Sequence, residues 1–292
     1  MNILTRVLVL PFITLCGLLA GCEDPVPTGD YKEEIVVQSF LFVGEPINDV
    51  RIHRSQPVLD TFRLPVASIR NAVVTIETDS QTLPLEYVDD TTGGFYRAID
   101  TAYRILPETT YRLRIVVDGK TLTGTTTTPI TFAFTVPPKD TLIYPGKDKE
   151  TQLFDSLYVR WTAVAPAQEY VPGIVNLDTT NYGSYLTPST DEPNARVRDD
   201  EFDEGTRLDG ERARYALAQT TSIPTVWRFF KWYGRHELVI YAGDKNFVNW
   251  FRQVGFGGRT SFSYQFNSVE GGLGVFGSAA VLRYPVFLKK KP

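Results

Sequence analysis

The sequence predicts a mostly β protein: an N-terminal immunoglobulin-like β-sandwich followed by a second β-rich domain with one short helix. Three observations predict it. The 292 residues include 18 Phe, 15 Tyr and 4 Trp, with Met1 as the sole methionine, and aromatic and β-branched side chains suit a pleated, half-buried surface. Short runs of alternating apolar and polar residues recur between turn residues. A 3.6-residue apolar period persists in one place only.

Residues 1–21 read as a processing leader and not as part of the fold. A single basic residue, Arg6, precedes an apolar run over 7–20. That run is shorter than the roughly 20 residues a membrane-spanning helix needs, and Pro11 interrupts it. It ends Leu19-Ala20-Gly21-Cys22, which looks like a bacterial lipobox. The residue types suit the chemistry. A thiolate is the best side-chain nucleophile for taking up a lipid, and small residues before it let a peptidase reach the backbone. The resemblance implies a diacylglyceryl thioether on Cys22, cleavage before it and acylation of the new terminus. Cys16 leaves with the leader, so no disulfide remains and stability rests on core burial. Residues 22–32 then form a lipidated tether, rich in Pro and Gly. Its acidic Glu23-Asp24 resembles the surface-export signal of Bacteroidota lipoproteins.

The first domain, 33–130, carries seven expected strands at 33–42, 47–54, 72–78, 81–87, 95–99, 110–117 and 121–127. The clearest alternation sets Tyr111, Leu113, Ile115 and Val117 against Arg112 and Arg114. Asp118-Gly119 is the two-residue turn of a hairpin, because Gly accepts positive φ at little cost. Residues 131–156 are expected to be a linker, bracketed by Pro137-Pro138 and Tyr144-Pro145-Gly146.

In the second domain, 157–292, strands are expected at 157–164, 170–177, 212–220, 225–233, 237–241 and 275–288, with Gly234-Arg235-His236 as a hairpin turn. Asp244 is placed as a helix N-cap. Phe247, Trp250, Phe251 and Val254 follow at the spacing of one helix face, and Gly255 is placed to end it. The stretch 178–211 is an acidic loop, longer than compact domains usually carry without a reason.

The net charge of −4 and the lack of a basic stripe exclude a nucleic-acid binder. His53 and His236 stand alone in different domains. No thiol remains for a cysteine protease or a thiolate zinc site, and no phosphate loop, dinucleotide fingerprint or Gly-x-Ser-x-Gly motif occurs. No cofactor is expected. Asp199, Asp200 and Asp203 form a calcium candidate by residue type; their spacing suits a solvated, self-repelling loop better. The run Trp227-Arg228-Phe229-Phe230-Lys231-Trp232-Tyr233 reads as a buried central strand. Its functional alternative is a partner or sugar-stacking surface built on Trp227, Trp232 and Tyr233, since Trp and Tyr enrich at interfaces.

The most specific motif is Asn267-Ser268-Val269-Glu270-Gly271-Gly272-Leu273-Gly274-Val275-Phe276-Gly277-Ser278. Its glycines suggest a bent backbone and close approach. With the lipobox, it resembles domain of unknown function family 4249, a set of Bacteroidota outer-membrane lipoproteins, with Val269 where the family tends to have isoleucine. Val36-Val37, Pro46 with Val50, Arg54-Ser55, Ala72-Val73-Val74, Gly94 with Tyr96, and Tyr111 with Leu113 fit as well. The resemblance implies an outer-membrane address and, as partner, a TonB-dependent transporter. It implies no catalytic residues. The expected function is therefore a non-enzymatic, surface-exposed lipoprotein that helps such a transporter capture a nutrient such as a glycan or peptide. The alternatives are a stand-alone glycan-binding or adhesion lipoprotein, and a hydrolase using acids of the 178–211 stretch.

Overall fold

In the computed structural model the described residues are 31–57, 60–61, 63–91, 93–152, 157–165, 167, 169–178, 181–191, 197, 213–256 and 266–292, with side chains omitted at 254–256. The fold is mostly β, and residues 34–292 pack as one compact unit. The strands are β1 (Ile35–Phe42), β2 (Val50–Arg54), β3 (Val73–Glu77), β4 (Thr82–Val88), β5 (Phe95–Ala98), β6 (Thr110–Val117), β7 (Lys120–Thr127), β8 (Phe134–Val136), β9 (Thr141–Ile143), β10 (Tyr158–Trp161), β11 (Tyr170–Asn176), β12 (Ala213–Tyr215), β13 (Ser222–Pro224), β14 (Gly234–Gly243), β15 (Val269–Glu270) and β16 (Leu273–Lys289). Among the described residues two α-helices join them, α1 (Leu64–Ala67) and α2 (Lys245–Phe256).

The large sheet runs β12-β11-β14-β16-β1-β2-β5-β4-β3-β6-β7-β15, with β9 also beside β16. A small sheet, β13-β10-β8, completes the β content. All seven strands expected in the first domain form. In β6 the apolar alternates are buried and Arg112 and Arg114 are exposed. Asp118 (φ 50°) and Gly119 (φ 72°) make the tight β6–β7 turn, whose positive dihedrals match the twist of the paired strands.

The first body is not closed by residues 33–130 alone. Its core gathers Val37, Ile76, Tyr111 and Leu122 together with Val269 and Phe276 from near the C-terminus. The first half of β16 runs parallel to β1, from Val36 opposite Leu273 to Phe42 opposite Ala279. The second half, from Ala279 on, pairs antiparallel with β14. One strand thus serves two bodies. The second core, with Trp161, Ile174, Trp227, Leu238 and Leu288, lies around that second half. A third, smaller core forms where α2 sets Phe247 and Val248 against Val171, Val239 and Tyr241, and Phe247 also meets the β1 rings Phe40 and Phe42.

Several local expectations are corrected. Residues 131–156 are not a bare linker, since they hold β8, β9 and a 3-10 turn at Lys147–Lys149. Three-residue strands are too short to display a period, and distant partners, β10 and β16, create them. Residues 225–233 are not a strand: β13 precedes them and Trp227–Phe229 is a 3-10 turn. Apolar residues on all sides suit a buried turn as well as a central strand, so the pattern did not discriminate. Gly234-Arg235-His236 opens β14 instead of turning a hairpin. Asp244 caps α2 as expected, accepting from Phe247 N at 2.8 Å. Gly255 does not stop that helix, which extends through Phe256. α1 was not anticipated; Pro65 in its first turn suits it, because no backbone donor is needed there. Of the acidic loop, Asp178, 181–191 and Val197 are described, and Tyr182–Tyr185 form a 3-10 turn with Tyr182 buried. Among the described residues no helix is long and apolar enough to cross a membrane.

Candidate functional site

The second body contains a cavity of about 210 Å³ between the two sheets. Val159 of β10 and Ile223 and Pro224 of β13 line one wall. Ile174, Leu238 and Val286, from β11, β14 and β16, line the facing wall. Phe229, Phe230, Ala216 and Ala218 also line it. The backbone there is occupied by its own pairing: Ala216 N donates to Pro172 O, and Ala218 N to Tyr170 O. Pro138, Pro172 and Pro224 carry no N–H at all. The Thr225 hydroxyl donates to Leu157 O at 2.9 Å. The cavity lining is therefore mainly apolar, and these polar groups are already paired within the protein.

A charged cluster lies at the start of β14. Asp178 Oδ2 accepts from Tyr185 OH (2.6 Å), Arg235 Nε (2.8 Å) and Arg235 N (3.1 Å), and Oδ1 accepts from Arg235 Nη2 (2.8 Å). The Asp178 side chain is 5% exposed and that of Arg235 60%. The guanidinium also lies 5.6 Å over the Tyr185 ring. The Arg235 side-chain hydrogen bonds lead in holding the Asp178 carboxyl down to about 2, against burial, which raises it. A bidentate guanidinium–carboxylate pair is geometrically specific. Here it pins the loop after β11 to β14, so it positions structure and leaves no free base. Sequence reading missed the pair because its members are far apart in the chain and neither belongs to a motif.

The next residue, His236, is 1% exposed. Its Nδ1 lies 3.0 Å from Gly234 O, its ring meets Phe230 edge-on at 5.0 Å, and its buried Nε2 has no hydrogen-bond partner among the described residues. Burial pushes its pKa down to about 4. The unfolded chain therefore takes up this proton at higher pH than the folded chain. Stability is complete above about pH 6.5 and falls as pH drops towards 4, by roughly 3 kcal/mol from this ring. Burial lowers His53 in the same direction. Burial raises Asp244, which opposes the trend by favouring the folded form on protonation. Below pH 4 the loss of the Asp178 carboxylate adds a second decline as pH falls through its unfolded and then its folded value. His236→Leu should flatten the pH 7 to pH 4.5 part of a urea-midpoint profile. Identical profiles for the two chains would refute the assignment.

The glycine-rich motif turns out to be a closure device. Asn267 Nδ2 donates to Val269 O and Gly272 O, both at 2.9 Å, and holds the turn between β15 and β16. Ser268 N donates to Gly274 O at 3.0 Å, and Phe276 N to Ser268 Oγ at 2.9 Å. Gly271 and Gly272 pass so close to β7 and β1 that a side chain would meet Thr121 O and Ile35 O. Gly274 lies against the Val37 carbonyl, and Gly277 against Phe247 N of α2. Phe276 fills the first core, 0% exposed. Glu270 stays at the surface, with Thr123 Oγ1 at 3.5 Å. Asp244 ties the closure together. Thr126 Oγ1 of β7 donates to its Oδ2 at 2.7 Å and also lies 2.7 Å from Ser278 Oγ. Asn246 Nδ2 then bridges Thr125 O of β7 and Phe276 O of β16.

The proposed aromatic surface is not a surface. Trp227 and Trp232 are each 4% exposed and Tyr233 5%, and all three belong to the second core. Three large rings with apolar neighbours on every side gain more from burial than from display. Cys22, Leu19, Ala20 and Gly21 lie outside the described residues, as do Asp199, Asp200 and Asp203. Among the described residues no three His, Cys, Asp or Glu side chains converge as a metal site would require. The cavity was invisible in the sequence because its walls come from elements scattered between β8 and β16.

A model of the family described as Domain of unknown function (DUF4249) matches residues 23–252. The match ends before the 267–278 motif. No relative among the curated proteins matches the chain.

Proposed function

The chain belongs to the family described as Domain of unknown function (DUF4249), and from that premise we propose a non-enzymatic, surface-exposed outer-membrane lipoprotein that assists a TonB-dependent transporter in nutrient capture. Acyl chains on Cys22 would anchor it; two or more give stable attachment at about 0.8 kcal/mol per buried CH₂. The observation that carries the reading is where the cavity sits relative to the entry of the chain. The chain enters the fold at β1, where Val36 lies opposite Leu273 at the start of β16. Val286, in the cavity wall, lies on the same strand roughly 40 Å further on, at about 3.3 Å per residue. A tether before Ile35 would thus join the fold at the opposite end of β16 from Val286, leaving the cavity wall clear of the point of attachment. The glycan-binding alternative loses its main support with the burial of Trp227, Trp232 and Tyr233.

Two experiments test the reading. Exchanging residues 1–22 for a secretory leader that is cut without lipidation should move essentially all of the chain from the membrane pellet to the soluble fraction; a chain that stays in the pellet argues against the anchor. Affinity capture of the tagged chain from detergent-solubilised native membranes should recover a TonB-dependent barrel in near-equal amount. Recovery of the chain without any barrel argues against the partnership.

A further inference from the structure

We infer that the cavity between the two sheets is a subsite for one apolar group, a single aromatic ring or a branched alkyl group of similar size, carried by the captured nutrient. The inference deepens the capture reading, on which its biological sense rests, but the binding itself needs no barrel.

Size selects the guest first. Pockets that enclose a whole small ligand measure roughly 300–1,000 Å³, and this cavity measures about 210 Å³. A cavity of about 150 Å³ lined by Leu, Ile and Phe takes up benzene and stays dry when empty. The present one therefore accommodates a ring with one or two small substituents, or a chain branch of that bulk, and not a whole oligomer.

Chemistry selects it next. The walls are Val159, Ile174, Ile223, Leu238 and Val286, with Phe229 and Phe230 beside them. The Thr225 hydroxyl and the backbone donors of Ala216 and Ala218 are spent within the protein. A sugar ring would enter with more hydroxyls than this mainly apolar lining can pair, and each unpaired hydroxyl is strongly unfavourable. An unsubstituted ring or a leucine-like branch loses nothing on entry and gains burial over its whole surface. Of the two nutrient classes, the cavity therefore favours peptide over glycan, through one hydrophobic side chain.

The test uses the unlipidated chain 23–292, secreted behind the exchanged leader, which needs no detergent, with methyl-labelled Ile, Leu and Val followed by NMR. Toluene and indole should shift the methyl signals of Leu238, Val286, Ile174 and Ile223 in a saturable way, whereas glucose and maltose should not. A short peptide with one phenylalanine should shift the same methyls, and its alanine counterpart should not. Toluene binding without any effect of the phenylalanine peptide would confine the site to free apolar molecules and overturn the peptide part. Ala216→Phe and Ala218→Leu, which add bulk at the cavity lining, should each weaken toluene binding at least about tenfold, the loss expected when a ring's burial is denied. Absence of these shifts in a folded wild-type chain, or equal shifts in both filled variants, would overturn the proposal. Failure of barrel capture in the membrane experiment would leave this result standing.

Discussion

A Gly274→Ala chain is expected to lose about 4 kcal/mol or more of folding stability, a loss on the scale of a protein's whole margin. Gly274 has φ +117°, a region that L-residues rarely adopt, and a Cβ there would overlap the Val37 carbonyl of β1. Val37 is fully buried and paired with Gly274 in the parallel β1–β16 register. Relief would require parting these strands, which would open the first core at the point where Phe276 enters. Gly44 provides the control. It also has positive φ, +83°, but nothing lies within 4 Å of its would-be Cβ, so Gly44→Ala should show the dihedral strain alone, about 1–2 kcal/mol. Urea unfolding of the two variants, followed by tryptophan fluorescence, compares them directly. Equal losses would mean that the close approach of β16 to β1 contributes nothing.

The second large effect is expected at Asp244. Asp244→Ala removes the α2 cap and leaves Phe247 N and Ser278 N without their acceptor, and Thr126 without its carboxylate. A lost cap costs about 1 kcal/mol and each buried donor left unpaired about 1–3 kcal/mol, so a total of about 3 kcal/mol is expected. Asp244→Asn keeps an acceptor oxygen of the same shape. Burial already disfavours the charged carboxylate, so the amide should cost only about 1 kcal/mol. Amide exchange should quicken in the first turn of α2 and across the β7–β16 contact in the alanine chain, and much less in the asparagine chain. If the two substitutions cost the same, Asp244 is not the tie between β7, β16 and α2.

These two residues also show how legible the chain was. Asp244 announced itself, because an N-cap acts on backbone donors two or three residues away. Gly274 was marked as a close-approach glycine, but nothing near it named Val37 as the surface approached. The glycine-rich motif that carried the resemblance was legible as a motif and not as a role. Its function as the seal between β7 and β16 depends on residues such as Thr126, which no local pattern links to it. Trp227, Trp232 and Tyr233 were legible as rings needing cover. Whether Trp227 sat on a strand or in a 3-10 turn depended on what surrounded it.

What the amino-acid order determined by itself is local: seven alternating strands from β1 to β7, the Asp118-Gly119 turn, the capped helix α2, and the faces that must be buried. Tertiary structure decided which strands meet. It split β16 between two bodies, made β8 and β9 out of an apparent linker, and drew the cavity walls together from scattered elements. The physical reason lies in the range of the forces. Dihedral preferences and capping act over a few residues, while alternation states only that a face seeks cover. The identity of the cover is set by pairing and burial between segments more than a hundred residues apart, as when Phe276 completes a core begun at Ile35.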